Sequence, residues 1–145
     1  MSRQSNVLYK QVTLIDTSAV VAIHDDREAH HQIAKLFFES QKVMAWTSLD
    51  VTAHESFTRV RYNTDLPQAM KAFDFLRSKP VKFIPFLAED EIKARDLLTK
   101  YSDHRLSFHD VLCAAVMLRL GIYKVFTFDK DFLILGFDIF PRSVI

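Results

Sequence analysis

Val12-Thr13-Leu14-Ile15-Asp16-Thr17-Ser18 is the stretch that decides the fold: a short apolar run ending abruptly on a carboxylate and two hydroxyls. Four residues rich in β-branched side chains read as a buried strand. The apolar residues that follow, Ala19 to Ile23, read as a short helix. Similar strand-then-helix units recur along the chain. Val43 to Trp46 is the second strand candidate, followed by a helix over about Leu49 to Arg61. Val81 to Phe86 is extended, with Pro85 marking its end or an edge. Lys124 to Phe128 is the fourth strand and Phe137 to Phe140 the last, with a short helical turn between them.

Helical periodicity fills the intervals. Ala29, Ile33, Leu36 and Phe37 share one face, as do Leu66, Ala69, Met70 and Phe73, with Pro67 in an early turn. Ala94, Leu97, Leu98 and Tyr101 form another face. Ser107 opens a helix that is apolar nearly all round to Leu120, so it belongs in the interior, with Gly121 as its C-cap. Strands alternating with helices predict an α/β fold with parallel pairing. With 145 residues and no linker or repeat, the chain reads as one domain, 1–145, with residues 1–10 a polar N-terminal extension.

Composition narrows the function classes. Hydrophobic residues make up 49% and charged residues 26%, the balance of a soluble globular protein. Met1 to Lys10 lack the apolar core of a signal peptide, and no apolar run reaches the roughly 18 residues of a membrane span. Cys113 is the single cysteine, so no internal disulfide forms; it sits in an apolar run and reads as a small buried hydrophobe. These features predict a cytoplasmic protein with no membrane partner. The net charge of +1 neither requires nor excludes a nucleic-acid partner.

In a parallel α/β sheet, ligands bind outside the carboxyl ends of the strands near the switch point. Asp16 directly follows the first strand and Asp129 the fourth. Two further acids stand out: Glu55 on the third helix and Asp110 at the start of the buried one. Each has a structural reading. Asp16 and Asp129 suit N-caps, and both Ser107-x-x-Asp110 and Thr52-x-x-Glu55 have the form of capping boxes. The set as a whole is more informative, because carboxylates brought together at strand ends repel one another unless a cation sits among them. Oxygen ligands suit Mg²⁺ or Mn²⁺, and such ions serve phosphodiester hydrolysis.

The histidines show no zinc-type spacing with Cys113. His54 and His109 neighbour proposed acids, but adjacent helical residues face different ways, which predicts surface or packing roles for both. Arg59, four residues after Glu55, is either its ion-pair partner or a phosphate contact, and Arg61 adds basic surface. Phe37-Phe38 and Phe73…Phe75 are mainly core, with a dimer or partner-protein surface as the alternative. A haloacid-dehalogenase-like enzyme needs a second Asp where Ser18 stands, and the order of motifs fits a receiver domain poorly.

Asp16-Thr17-Ser18, Glu55, the Ser107…Asp110…Ala114-Ala115 helix and Thr127-Phe128-Asp129-Lys130-Asp131-Phe132 occur in the order found in PIN domains. The chain resembles that family from about Val12 to its end, and within it the VapC-type toxins. The resemblance implies a three-layer domain whose central parallel sheet of four or five strands is flanked by helices. It implies Mg²⁺- or Mn²⁺-dependent cleavage of RNA, with Asp16, Glu55, Asp110 and Asp129 as metal-binding catalytic acids. Thr17 or Ser18 and Thr127 would orient carboxylates or water. Asp131 would assist a second ion or cap the following turn. A homodimer, and a small antitoxin that places a basic side chain among the acids, are the implied partners. A PIN nuclease of RNA processing or decay, or a non-catalytic interaction module on the same fold, are the alternatives. The chain departs from the pattern in its ten extra N-terminal residues and in Phe128, where the family more usually has a small polar residue.

Overall fold

The computed structural model of the chain describes residues 12–142; the N-terminal extension expected at 1–10 lies outside them. The elements run β1 (Val12–Ile15), α1 (Thr17–His24), α2 (His31–Ser40), β2 (Ala45–Leu49), α3 (Asp50–Asn63), α4 (Leu66–Leu76), β3 (Val81–Ile84), α5 (Ala88–Lys100), α6 (Phe108–Leu120), β4 (Lys124–Phe126), α7 (Asp131–Ile134) and β5 (Asp138–Phe140). The five strands form one sheet in the order β3-β2-β1-β4-β5. Every pairing is parallel. The chain therefore winds outward from β1 in one direction through β2 and β3, then restarts beside β1 with β4. The switch point lies between β1 and β4.

Period-two alternation makes the three layers. Leu14 and Val125 point to one face of the sheet, where they pack with Leu97 of α5 and Val111 to Met117 of α6. Their strand neighbours Ile15 and Phe126 point to the other, against Val20 of α1, Ala34 of α2, Val60 of α3 and Ala69 of α4. Helix α6 is buried at every position from Asp110 to Met117, as its all-round apolar character requires. It begins at a Ser107 cap, whose hydroxyl accepts the Asp110 N–H at 3.0 Å. It ends at Gly121, whose φ of 72° is the left-handed conformation that glycine adopts most cheaply. No described helix is long and apolar enough to cross a membrane.

Some local readings are corrected. β2 begins two residues later than Val43, which is exposed, and continues through the buried Thr47 and Ser48. On α2, Ile33 and Leu36 face outward, at 40% and 63% exposure, while Ala34 is fully buried with Phe37 and Phe38 packed beside it. On α4 the outward apolar side chains are Leu66 and Met70. Thr52 caps nothing, since α3 begins at Asp50.

One ion pair ties α5 to α6. Asp90, in the first turn of α5, accepts the Leu87 N–H at 2.7 Å and both a 2.8 Å Nε and a 2.9 Å Nη2 bond from Arg119. The guanidinium holds the Asp90 carboxyl below its ordinary pKa, against the opposing effect of burial. A depressed folded-state pKa contributes stability that is present above the unfolded value, about 3.9, and lost as pH falls through the folded one. Asp90→Asn is expected to lower unfolding free energy by about 1–3 kcal/mol at pH 7. In denaturant melts the gap from wild type should close below about pH 4; a gap that stays constant across pH would contradict this role.

Candidate functional site

The switch point brings the strand-end residues together. The Asp16 N–H bonds to the Phe126 carbonyl at 3.0 Å, carrying the β1–β4 ladder one residue past the strands. Asp16 is also the N-cap of α1, which holds its side chain over the sheet edge. Its Oδ2 accepts the Ser18 hydroxyl at 2.9 Å and the Thr127 hydroxyl at 2.8 Å. Those hydroxyls accept backbone N–H groups in turn: Phe128 on Ser18 at 2.9 Å, and Asp129 on Thr127 at 3.0 Å. Asp129 Oδ1 accepts the Asp131 N–H at 2.9 Å, closing the turn into α7. Strand ends and hydroxyls thus form one network that fixes the carboxylates of Asp16 and Asp129.

Asp16 Oδ1, by contrast, is buried and has no hydrogen-bond partner among the described residues. An unpaired buried carboxylate oxygen is costly unless a cation or donor faces it. Asp16, Thr17, Ser18, Glu55, Asp110, Asp129 and Asp131 line a cavity of about 230 Å³, with Ser107, Arg59 and Arg105. Ligating atoms of Asp16, His109 and Asp110 lie within 4.8 Å of one another, and so do those of Asp110, Asp129 and Asp131. Two groups sharing Asp110 fit one or two divalent ions, and their carboxylate oxygens suit hard cations.

The electrostatics agree with a site short of positive charge. Burial pushes Asp110 up to about 6, with the nearby His109 imidazole opposing the shift and the charges of Asp16 and Asp129 adding to it. Burial and the neighbouring Asp129 charge also raise Asp131. Asp131 is the first residue of α7 and lines the cavity.

Sequence reasoning offered Arg59 as an ion-pair partner of Glu55 or a phosphate contact, and it lines the cavity, while Arg61 does not and lies exposed on α3. It missed Arg105, which the loop before the Ser107 cap carries to the rim. His109, read as a surface or packing residue, has a side chain only 8% exposed, close to the acids. Its Nδ1 is 3.5 Å from Asp110, 3.6 Å from Glu55 and 3.9 Å from Asp16, while Nε2 is 2.8 Å from the Thr52 hydroxyl. Burial lowers the imidazole's affinity for a proton, and the Asp110 and Asp16 carboxylates beside it act the other way, with the balance above the ordinary histidine value. Cys113 is buried as expected, yet its Sγ lies 3.7 Å from His109 Nε2, and burial keeps the thiol protonated by raising its pKa. The Phe128 ring does not line the cavity; it stacks on His30 at 4.4 Å between centroids. A larger cavity of about 400 Å³ opens at the end of α1, between His24, His31 and Gln68. It gathers no metal-ligating trio, and its buried carboxylate, Asp25, is already bonded to Arg27.

The sequence matches the model of the PIN domain over residues 13–138. No curated protein matches it. Among solved structures it is similar to Mycobacterium tuberculosis VapC20, a sarcin–ricin loop-cleaving toxin, at a TM-score of 0.82 and 26% identity. That match covers 88% of this chain and 96% of the other. It shares its fold with VapBC2 from Rickettsia felis, solved bound to promoter DNA, at a TM-score of 0.63 and 14% identity, with 88% and 96% covered.

Replacing Thr127 by Val removes one donor from Asp16 Oδ2 and leaves the Asp129 N–H without its acceptor. The expected cost is about 1–3 kcal/mol of unfolding free energy in a denaturant melt. Wild-type stability in that variant would show that the network does not hold the strand ends.

Proposed function

The chain belongs to the PIN-domain family, and from that premise we propose that it is a metal-dependent ribonuclease, the toxin of a type II toxin–antitoxin pair. The observation that carries the reading is Asp16 Oδ1: a buried carboxylate oxygen with no hydrogen-bond partner, beside Asp110 and Asp129 at the switch point of a parallel sheet. Similarity to a toxin that cleaves the sarcin–ricin loop supports structured RNA as the substrate and makes that loop the first one to try.

In this reading Asp16, Glu55, Asp110 and Asp129 hold Mg²⁺ or Mn²⁺, with Asp131 beside a second ion. Held there, the ions would supply Lewis acidity for the phosphoryl oxygen and the attacking water, and positive charge for the leaving oxygen. The protein's own groups do the rest. Ser18 and Thr127 hold Asp16 Oδ2, so its other oxygen stays aimed into the cavity. Arg59 and Arg105 stand at the rim, where guanidinium groups pair with phosphate and offset the acidity of the cavity. The water oxygen bonds to phosphorus as the P–O3′ bond breaks. A cavity carboxylate takes the water's proton and solvent water protonates the departing O3′, leaving a 5′-phosphate and a 3′-hydroxyl.

The same acidity suits inhibition by an antitoxin, since a basic side chain inserted among the carboxylates replaces the cation. Similarity of fold to a VapBC complex supports such a partner. For the homodimer, the apolar side chains available are Ile33 and Leu36 of α2 and Leu66 and Met70 of α4, rather than Phe37, Phe38, Phe73 and Phe75, which pack into the core. The reading places the protein in the cytoplasm, with its RNA.

Asp16→Asn is nearly isosteric and keeps an oxygen for the two hydroxyls. It should cut Mn²⁺-dependent cleavage of sarcin–ricin loop RNA and total RNA by more than about a hundredfold, beyond the loss typical of groups that only orient a ligand. Circular dichroism should show an unchanged fold. A folded Asn variant that cleaves as fast as wild type would refute the assignment.

A further inference from the structure

We infer that His109 is a nitrogen ligand of the metal site, so that the site is a mixed nitrogen–oxygen centre favouring a transition-metal ion such as Mn²⁺ over Mg²⁺. The inference rests on the nuclease reading and adds to it a ligand outside the four acids.

Three observations carry it. First, the imidazole is held as ligating histidines are held. Its Nε2 lies 2.8 Å from the hydroxyl of Thr52, a fully buried residue. In the tautomer with the proton on Nε2, that hydroxyl accepts it and Nδ1 presents a lone pair to the acids. Metal-bound histidines characteristically donate their other ring N–H in this way. Second, the spacing fits an ion. Nδ1 is 3.5, 3.6 and 3.9 Å from oxygens of Asp110, Glu55 and Asp16, too far for good hydrogen bonds to any of the three. An ion about 2.1 Å from its ligands holds neighbouring ones about 3.0 Å and opposite ones about 4.2 Å apart. The observed separations fall between those limits. Third, the oxygen of Asp16 that faces Nδ1 is the buried one with no hydrogen-bond partner. Nitrogen and oxygens are thus brought to one point from two helices and a strand end.

The chemistry sets the selectivity. Mg²⁺ demands oxygen donors in near-ideal octahedral geometry and gives up its waters reluctantly. Imidazole suits transition ions, so a nitrogen in the set shifts preference toward them. An ion that binds here takes the place of any proton on Nδ1, and its binding releases that proton.

The test is pulsed electron paramagnetic resonance of Mn²⁺ bound to the full chain. The expected result is ¹⁴N modulation of the Mn²⁺ echo, changing to the ¹⁵N pattern in protein made with ¹⁵N-histidine, and lost in His109→Gln. In His109→Gln the excess of Mg²⁺ needed to displace Mn²⁺ should fall by about tenfold or more. Thr52→Val should keep the nitrogen signal and weaken Mn²⁺ binding. If His109→Gln does not fold, the wild-type isotope exchange decides alone, since His109 is the one histidine among the described residues that joins the acids. Bound Mn²⁺ with no nitrogen modulation, in protein that cleaves RNA, overturns the inference and leaves the nuclease reading intact. Modulation that persists in folded His109→Gln also overturns it. Protein that binds no Mn²⁺ and cleaves no RNA defeats both.

Discussion

Asp16 carries a buried carboxylate whose two oxygens have unequal company, and much of the structure follows from that inequality. Oδ2 accepts two hydroxyls, from Ser18 on α1 and Thr127 beyond β4, and so joins the ends of adjacent parallel strands. Oδ1 accepts nothing. A parallel sheet needs helical crossovers, and crossovers leave one switch point where neighbouring strands are followed by chains departing in opposite directions. The carboxylate stands there because β1 ends there. Its satisfied oxygen stabilises the fold, and its unsatisfied one creates the demand for positive charge that defines the site.

The other acids reach that point by different routes. Asp110 arrives on α6, a helix buried because it is apolar all round, with the Ser107 cap fixing where its first turn lies. Asp129 and Asp131 arrive on the turn after β4, held by Thr127 and by each other. Glu55 reaches in from α3 and keeps 36% of its side chain exposed, so the cavity is open on that side. Burial decreases from Asp16 to Glu55, giving the site a closed floor and an open mouth with Arg59 and Arg105 near it.

What was legible in the sequence was whatever a short window determines. The strand of Val12 to Ile15, the Ser107 and Gly121 caps and the strand-end acids each rest on neighbours in sequence, and the sheet was expected to be parallel because helices separate the strands. The misreadings are those that depend on distant contacts. On α2, Ile33 and Leu36 outweigh Ala34 in any hydrophobic pattern, yet close approach to the sheet favours the small Ala34 and the flanking rings of Phe37 and Phe38. Thr47 and Ser48 read as polar, but a central strand satisfies its backbone on both sides and tolerates them buried. His109, assigned a surface or packing role because consecutive helical side chains diverge, is buried, but its neighbours had no local signal. That rule ignores the hydroxyl of Thr52, fifty-seven positions away in sequence, which draws the ring in under the acids. Arg105 sits in a loop with no periodicity, so its place at the rim had no local signal.

The central claim is that the carboxylates at the β1–β4 switch point hold a divalent cation. Crystals of the protein soaked in Mn²⁺ and measured for anomalous scattering test it most directly. The account predicts an anomalous peak within ligand distance, about 2.0–2.3 Å, of Asp16 Oδ1 and of Asp110. No peak there at saturating Mn²⁺, or a peak only in the cavity beside His24 and His31, would contradict it.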